Sequence, residues 1–297
     1  MPPVMPPSFG RRSLHLARVI WFGGLTRYIR RFGFKPPQSI TQGWFNTISQ
    51  ISQSIYGDQI TCLNYGYAPT DGSRSDFAER ENGYALALYA SLVEMVSAEA
   101  LKDRVVLEVG SGRGGGANFV ATTYHPRRML GVELSTDAVA FCQARYDAPN
   151  LAFQQGDATA LDLPDESVDV VLNVESAHCY PDLEAFIGHV HRVLKPGGVF
   201  LMTDCIGPKR RAAFHAALHS QPWAEHRETD ITQNVAAALV ADSERKRMLI
   251  ERTGYPRAIR RQLEDLSACE GSKTLADLQS HTLVYSSHCF GKHLSNL

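Results

Sequence analysis

The sequence predicts an α/β fold with a doubly wound, mostly parallel sheet, and three observations indicate it. Apolar runs such as Val105–Val109 and Val168–Val174 suit strands that are buried on both faces. Segments with helical spacing of apolar residues alternate with these runs. Glycines crowd residues 110–116, directly after the first run, where a tight turn and a closely approaching ligand both require residues without side chains.

The predicted elements follow one another in strand–helix order. A helix over residues 84–99 precedes the first strand, and Gly115, Ala117, Phe119 and Val120 begin the next helix. The later strands are predicted at residues 129–132, 151–155, 168–174 and 199–203, with a turn at residues 194–198. Beyond residue 204 we expect helices over residues 209–218 and 230–253 and a late strand over residues 283–290.

Length and composition are those of an ordinary globular protein. The 297 residues, 44% hydrophobic and 21% charged, can bury one sizeable core together with a lid or appended helices. Six cysteines without C-x-x-C spacing indicate a reducing, cytoplasmic setting. The pairs His189-x-His191 and His215-x-x-x-His219 lack a completing carboxylate or cysteine nearby, so we expect no metal site. No apolar run approaches the ~20 residues of a membrane-spanning helix, and no secretory signal is evident.

The first 57 residues differ from the rest in charge. They contain seven basic residues and no acidic one, a net charge of +7, whereas the remainder carries 23 − 31 = −8. Apolar and aromatic residues are interleaved with the basic ones over residues 11–35, as in segments that lie on anionic membranes. A helical lid that packs on the domain and an organelle-targeting segment are the alternatives. We therefore expect an N-terminal extension, 1–57, and one domain, 58–297, with a substrate cap at about 207–280.

A binding site for an adenosine cofactor is predicted beside the glycines. Glu133 ends the second strand, 23 residues after Gly110, so its carboxylate should lie next to the glycine loop and can accept hydrogen bonds from two ribose hydroxyls. Gly110, Gly112 and Gly115 satisfy G-x-G-x-x-G, which alone also fits a nicotinamide dinucleotide. An NAD-dependent oxidoreductase is therefore the alternative of another class, although no second catalytic domain for hydride transfer is evident.

Four motifs in order resemble those of the class I S-adenosylmethionine (SAM) methyltransferases. They are Glu108-x-Gly110-x-Gly112, the strand-two acid Glu133, Gly156-Asp157-Ala158 after strand three, and the fourth strand, which contains Asn173. The resemblance implies a seven-stranded sheet and SAM as the cofactor. It also implies that Gly110 and Gly112 meet the amino-acid end of SAM, Glu133 the ribose and Asp157 the adenine amine. Glu108, Ala158, Asn173 and Tyr65 complete the expected cofactor site, with Tyr65 or Tyr67 closing over it.

The chemistry is predicted just after strand four. His178 should face the transferable methyl group, because the carboxyl ends of the strands border the ligand crevice. A histidine with a pKa near 6.5 can remove the proton from a hydroxyl acceptor, which is a poor nucleophile until then. Asp204 ends the neighbouring strand five and can orient His178, although both residues can instead serve only as caps. Residues 173–176, Asn-Val-Glu-Ser, lack the Asn/Asp-Pro-Pro-Tyr/Phe tetrad of nucleobase methyltransferases, so we expect no nucleic-acid substrate.

Three stretches are similar to a narrower group, the mycobacterial phthiotriol and phenolphthiotriol dimycocerosate O-methyltransferases. They are V-L-N-V-E-S-A-H-C-Y-P at residues 171–181, G-R-G-G-G-A at residues 112–117 and H-C-F-G-K at residues 288–292. This resemblance implies O-methylation of a secondary alcohol on a very long lipid. E-S-A-H-x-x-P at residues 175–181, followed by Asp204, also resembles small-molecule O-methyltransferases, which implies sugar or polyketide hydroxyls as acceptors. We expect in-line displacement without a metal on a hydrophobic acceptor, a long-chain lipid, polyketide or glycoside. C-methylation of a sterol- or quinone-like acceptor would share every cofactor motif and stays open, as does the oligomeric state.

Overall fold

The computed structural model describes residues 57, 59–71, 73, 76–77 and 79–294. The predicted extension, residues 1–57, lies outside the described residues except for Gly57. Its three alternative roles therefore stay predictions. Among the described helices, none combines the length and apolar character that crossing a bilayer requires.

Seven strands form one sheet in the order β3-β2-β1-β4-β5-β7-β6. Strands β1 to β5 pair in parallel, and β7 runs antiparallel between β5 and β6. The predicted doubly wound, mostly parallel seven-stranded sheet is confirmed. The strands are β1 Val105–Val109, β2 Arg128–Glu133, β3 Leu151–Gln155, β4 Val168–Val174, β5 Leu194–Ile206, β6 Trp223–Asp230 and β7 Val284–Lys292.

Helices cover both faces of the sheet, as its doubly apolar strands require. Residues of α1, α2, α3, α6 and α8 share one buried cluster, and residues of α4 and α5 share the other. Short 3₁₀ turns follow β3 and β4 at Ala158–Ala160 and Ala177–Cys179. The described helices are α1 Gly83–Val93, α2 Gly115–Thr123, α3 Thr136–Arg145, α4 Leu183–Val193, α5 Pro208–Leu218, α6 Thr232–Arg252, α7 Arg257–Leu266 and α8 Lys273–Gln279.

The segment predicted as a helical cap after strand five has a mixed structure. It contains α5 to α8, as expected, but residues 223–230 form β6 and extend the sheet at its edge. All but two residues of β6, Trp223 and His226, are exposed, so the strand lacks the apolar alternation by which strands are recognised in a sequence. The pairing with β7, over seven registered positions, holds it in place instead.

The strand order reverses between β1 and β4, and this reversal places the site. β1 lies between β2 and β4, so the connections from β1 and from β4 leave in opposite directions and open a crevice at the carboxyl ends of the strands. Residues that follow β1, β2, β4 and β5 meet at this edge.

Candidate active site

The glycine loop joins β1 to α2 in a backbone conformation that favours glycine. Gly110, Gly112 and Gly114 have φ angles of 77°, 52° and 75°, which side-chain-bearing residues rarely adopt. A Cβ on Gly110 would lie 2.5 Å from Ser176 Oγ, whereas a Cβ on Gly112 would meet nothing within 4 Å. Gly110 thus permits close packing against the end of β4, and Gly112 borders open space that a ligand can enter.

Glu133 lies beside this loop, as predicted. Its Oε2 accepts a hydrogen bond from the Gly112 N–H at 3.0 Å, and its Oε1 accepts one from the Ser135 N–H at 2.9 Å. Burial raises the pKa of Glu133, while these backbone donors act in the opposite direction. Each carboxylate oxygen keeps a lone pair that can accept a hydroxyl group.

Asp157 and Ala158 follow β3 on the next strand outward. Asp157 Oδ1 accepts from both the N–H and the hydroxyl of Thr159 at 2.8 Å and caps the 3₁₀ turn that Ala158 begins. Ala158 is buried, with 8% of its surface exposed. The structure therefore places both residues at the same edge of the sheet as Glu133.

Glu108 is enclosed within the domain. It is fully buried and accepts a 2.6 Å hydrogen bond from the Tyr89 hydroxyl, and burial raises its pKa to about 7. The Tyr89 ring passes over Gly116, where an added Cβ would lie 1.8 Å from Tyr89 Cζ. The contact with Tyr89 gives Glu108 a structural part beside the glycine loop, and its cofactor role stays a prediction.

Asn173 connects the ends of β4 and β1. Its Nδ2 lies 2.9 Å from the Val109 carbonyl oxygen, 2.8 Å from Ser176 Oγ and 3.0 Å from the Tyr180 hydroxyl. Its Oδ1, like Ser111 Oγ, is buried without a hydrogen-bond partner in the part of the chain that the structure describes. Buried polar atoms of this kind need a partner, and a polar ligand beside the glycine loop can supply one.

His178 and Asp204 meet across the crevice. Asp204 Oδ1 accepts from His178 Nδ1 at 2.7 Å, and Asp204 Oδ2 accepts from the backbone N–H of His178 at 2.9 Å. Asp204 is 1% exposed, whereas 34% of the His178 side chain is accessible. The carboxylate holds the ring at two points, and an Nδ1–H donated to it leaves Nε2 as the proton acceptor.

The carboxylate also changes the protonation of His178. Burial would lower the pKa of His178, but the adjacent Asp204 carboxylate, with Cys179, outweighs it and raises the pKa well above its usual value. The ordinary imidazole value near 6.5 that the sequence suggested is therefore too low. The ring therefore keeps its proton to a higher pH than an unperturbed imidazole does.

Glu175 is the main site residue that the sequence did not single out. Its Oε2 accepts from the backbone N–H of Tyr65 at 2.7 Å and from the Tyr285 hydroxyl at 2.9 Å, so it links the loop before α1 to β7. Its φ of 49° is left-handed, and burial raises its pKa to about 7. Glu175 directly follows β4 and stands three residues before His178 in the chain. Its bond to the Tyr65 N–H therefore holds this predicted cofactor residue close to the end of β4.

Arg113 is a second unpredicted residue. The residue is 2% exposed. Its guanidinium donates to the carbonyl oxygens of Ile60 and Gly57 at 2.8 and 2.6 Å and lies 3.9 Å from the centre of the Phe141 ring. The glycine loop thereby holds the segment that follows the N-terminal extension. A buried arginine inside a glycine-rich loop has no pattern that marks it in a sequence.

Comparisons with known proteins agree with this geometry. Residues 107–202 match the family described as a methyltransferase domain. A fatty-acid O-methyltransferase from Mycolicibacterium smegmatis is 33% identical over 81% of this chain and 86% of the relative. The chain belongs to the class I SAM-dependent methyltransferases. A phthiotriol/phenolphthiotriol dimycocerosates methyltransferase from Mycobacterium tuberculosis is 32% identical over 82% of this chain and 89% of the relative.

A solved structure shows the same fold. A putative sarcosine dimethylglycine methyltransferase from Galdieria sulphuraria superposes with a TM-score of 0.65 at 13% identity, over 82% of this chain and 98% of that one. As a member of the methyltransferase family, this enzyme uses SAM as its methyl donor. The open space at Gly112 and the carboxylate of Glu133 fit that cofactor. The oxidoreductase alternative receives no support.

Proposed function

We propose that this methyltransferase O-methylates a hydroxyl group of a hydrophobic, lipid-like acceptor. When bound, SAM supplies a methyl group that is already electrophilic. Gly110 and Gly112 would hold its amino-acid end, Glu133 its ribose hydroxyls and Asp157 its adenine amine, as the family resemblance implies. The positions of these residues around the crevice support the assignment.

The contact between Asp204 and His178 carries the proposal. A carboxylate that engages both the ring and the backbone of one histidine fixes where Nε2 points and stabilises the imidazolium that forms. His178 Nε2 takes the hydroxyl proton from the acceptor, and Asp204 orients the ring. General base catalysis of this kind contributes ~10²–10⁴-fold to a rate.

A hydroxyl acceptor is favoured over a carboxyl acceptor. A fatty acid, the acceptor that one relative's name gives, is ionised at neutral pH because carboxyl pKa values lie near 4. Its oxygen needs no base, so a held histidine would have no proton to remove. An alcohol needs one. The aligned His178–Asp204 pair therefore supports an alcohol on a long apolar chain, as in the relatives named for phthiotriol.

The chemical stability of the labelled product tests this choice. Tritium is transferred from labelled SAM to a long-chain secondary alcohol and, separately, to a fatty acid. We expect a product that resists mild alkali but loses its methyl group to hydriodic acid, as an ether does. An alkali-labile ester, or a label that resists both reagents as a C-methyl group does, would contradict hydroxyl methylation. His178→Ala should lower ether formation by ~10²–10⁴-fold, whereas the half-buried His189→Ala serves as the matched control.

We also propose that residues 11–35 bring the enzyme to an anionic lipid surface. Six arginines and one lysine among interleaved aromatic residues support this. Flotation with phosphatidylcholine vesicles should show binding only when phosphatidylserine is added, and salt should weaken it because screening shortens the reach of surface charge. A variant without residues 1–36 that floats as well as the full chain and still binds SAM would refute the proposal.

A further inference from the structure

A group of histidines lies on β6 and β7, apart from the residues assigned to methyl transfer. Glu228 is registered directly opposite His288, and His226 is two residues from Glu228, so the three side chains project from one face of the sheet. One donor atom of each lies within 4.8 Å of the other two. His226 Nε2 is 3.2 Å from His288 Nδ1, and His288 Nε2 is 3.9 Å from Glu228 Oε1.

A backbone carbonyl determines which ring nitrogens carry hydrogen in this group and in the neighbouring His219. His219 Nδ1 is 2.8 Å from the His215 carbonyl oxygen, which can only accept, so Nδ1 carries the hydrogen and a neutral His219 presents Nε2 as a lone pair. His226 Nδ1, 3.2 Å away, must then donate to it. The remaining nitrogen of His226, Nε2, is consequently a lone pair directed at His288.

The same contacts form the outer support that metal-binding histidines require. A ligating imidazole usually donates its second N–H to a fixed acceptor, which sets its tautomer and its orientation. His226 has such an acceptor in His219. Without an ion, His288 Nδ1 donates to His226 Nε2. When an ion binds at Nδ1, that hydrogen moves to Nε2 of the same ring, where Ser286 Oγ, 2.9 Å away, can accept it. Ligand atoms around an ion with bonds of ~2.0–2.2 Å lie roughly 3–4 Å apart, which matches the separation of the two facing nitrogens.

Exposure also suits an ion. His288 is fully buried, whereas 37% of the Glu228 side chain is accessible, so the group is enclosed on its inner side and open to solvent on its outer side.

We propose that His226, Glu228 and His288 bind a divalent transition-metal ion of the zinc class. Two imidazoles and a carboxylate are the donors that Zn²⁺ shares with Ni²⁺ and Co²⁺, and they exclude the harder Ca²⁺ and Mg²⁺. The ion ties β6 to β7, its one registered neighbour among the described strands, and supports an edge strand that buries little of its own surface. The sequence conceals the group, because His288 joins His226 and Glu228 only through the pairing of β7 with β6.

Calorimetry on the full chain, without a polyhistidine tag and stripped of metal with a chelator, tests the site. We expect one equivalent of Zn²⁺ to bind at micromolar concentration or tighter, and added Co²⁺ to give a visible absorption band. A hundredfold excess of Zn²⁺ over its Kd should raise the melting temperature by ~5 °C or more. His226→Gln and Glu228→Gln should each weaken binding at least tenfold.

The control is His189→Gln, because His189 contacts Arg192 and lies outside the group. It should leave the Zn²⁺ affinity unchanged. Circular dichroism and SAM binding show whether each variant is folded. Less than a fifth of an equivalent of bound Zn²⁺ in the wild type, or equal weakening by His189→Gln and His226→Gln, would overturn the proposal and leave only a hydrogen-bonded chain of histidines. The wild-type Co²⁺ spectrum decides the question independently if the variants do not fold.

Discussion

Replacing Asp204 by Asn tests the proposed base through the residue that holds it. The carboxylate accepts three hydrogen bonds: Oδ1 from His178 Nδ1 and from the Cys205 N–H, each at 2.7 Å, and Oδ2 from the His178 N–H at 2.9 Å. An amide has one accepting oxygen and one donating nitrogen. It can keep only one side of this arrangement.

Either orientation of the amide damages the site. If its nitrogen faces the His178 backbone, two donors oppose each other in a place that is 1% exposed. If its nitrogen faces the ring, Nδ1 must accept, the hydrogen moves to Nε2, and the base is lost. A hydrogen bond to a charged group is worth about 1.5–3 kcal/mol, or roughly 10–150-fold in rate. Because the His178 ring can also adopt the tautomer that carries its hydrogen on Nε2, the loss exceeds that of one hydrogen bond. We expect Asp204→Asn to slow methyl transfer by ~10²–10⁴-fold.

Single-turnover transfer of tritium from SAM to a long-chain secondary alcohol measures this loss. In the wild type the rate should rise with pH at values above those at which an unperturbed imidazole titrates, because the Asp204 carboxylate raises the pKa of His178. In Asp204→Asn the rising part of the pH–rate profile should shift to lower pH, since the negative charge that stabilised the protonated His178 ring is gone. SAM affinity should stay within about twofold, because the pair is assigned to the acceptor. If the variant retains half the wild-type rate and its pH–rate profile does not shift, the role assigned to His178 and Asp204 is refuted.

Three further substitutions address the cofactor, the packing and the second acid. Glu133→Ala should weaken SAM binding roughly 10-fold or more in calorimetry, because two hydroxyls lose a charged acceptor, and unchanged affinity would remove Glu133 from the cofactor site. Gly116→Ala should lower the unfolding free energy by ~1–3 kcal/mol in denaturant, since its Cβ would overlap Tyr89, whereas the control Gly188→Ala, with its nearest neighbour at 3.9 Å, should raise it by ~0.5–1 kcal/mol. Burial raises the pKa of Glu175 to about 7, so the native state binds this proton more tightly than the unfolded chain and loses stability as pH rises from about 4.5 to 7. Glu175→Gln should flatten that decline in thermal denaturation, and an identical slope in the two proteins would count against the shift.

Strands were predictable where burial dictated composition. β1 and β4 are apolar because helices cover both of their faces, and their positions were predicted from that property. β6 was not located, because six of its eight residues are exposed and its polar side chains follow no period. Its place depends on pairing with β7, which follows some fifty residues later in the chain.

The candidate site likewise contains residues that the sequence predicts and residues that it does not. His178 and Asp204 could be paired from the sequence because His178 follows β4 and Asp204 lies near the end of β5, and adjacent parallel strands end side by side. Glu175 could not be recognised, because its part depends on a left-handed backbone at that residue and on partners more than a hundred residues away, Tyr65 and Tyr285. A loop conformation that tertiary contacts impose has no local pattern.

The buried guanidinium of Arg113 has a consequence for how the enzyme opens. It donates to the carbonyls of Gly57 and Ile60 from within the glycine loop, to which the cofactor is assigned, and the Gly115 N–H donates to the Thr61 carbonyl beside it. The two segments therefore cannot separate without exposing a buried charge. In hydrogen exchange, residues 57–62 and the glycine loop should open as a single unit, and SAM should slow both equally. The segment that follows the N-terminal extension is thus joined to the glycine loop through Arg113 and to Glu175, beside His178, through Tyr65, so a shift of this segment would disturb both halves of the proposed site together.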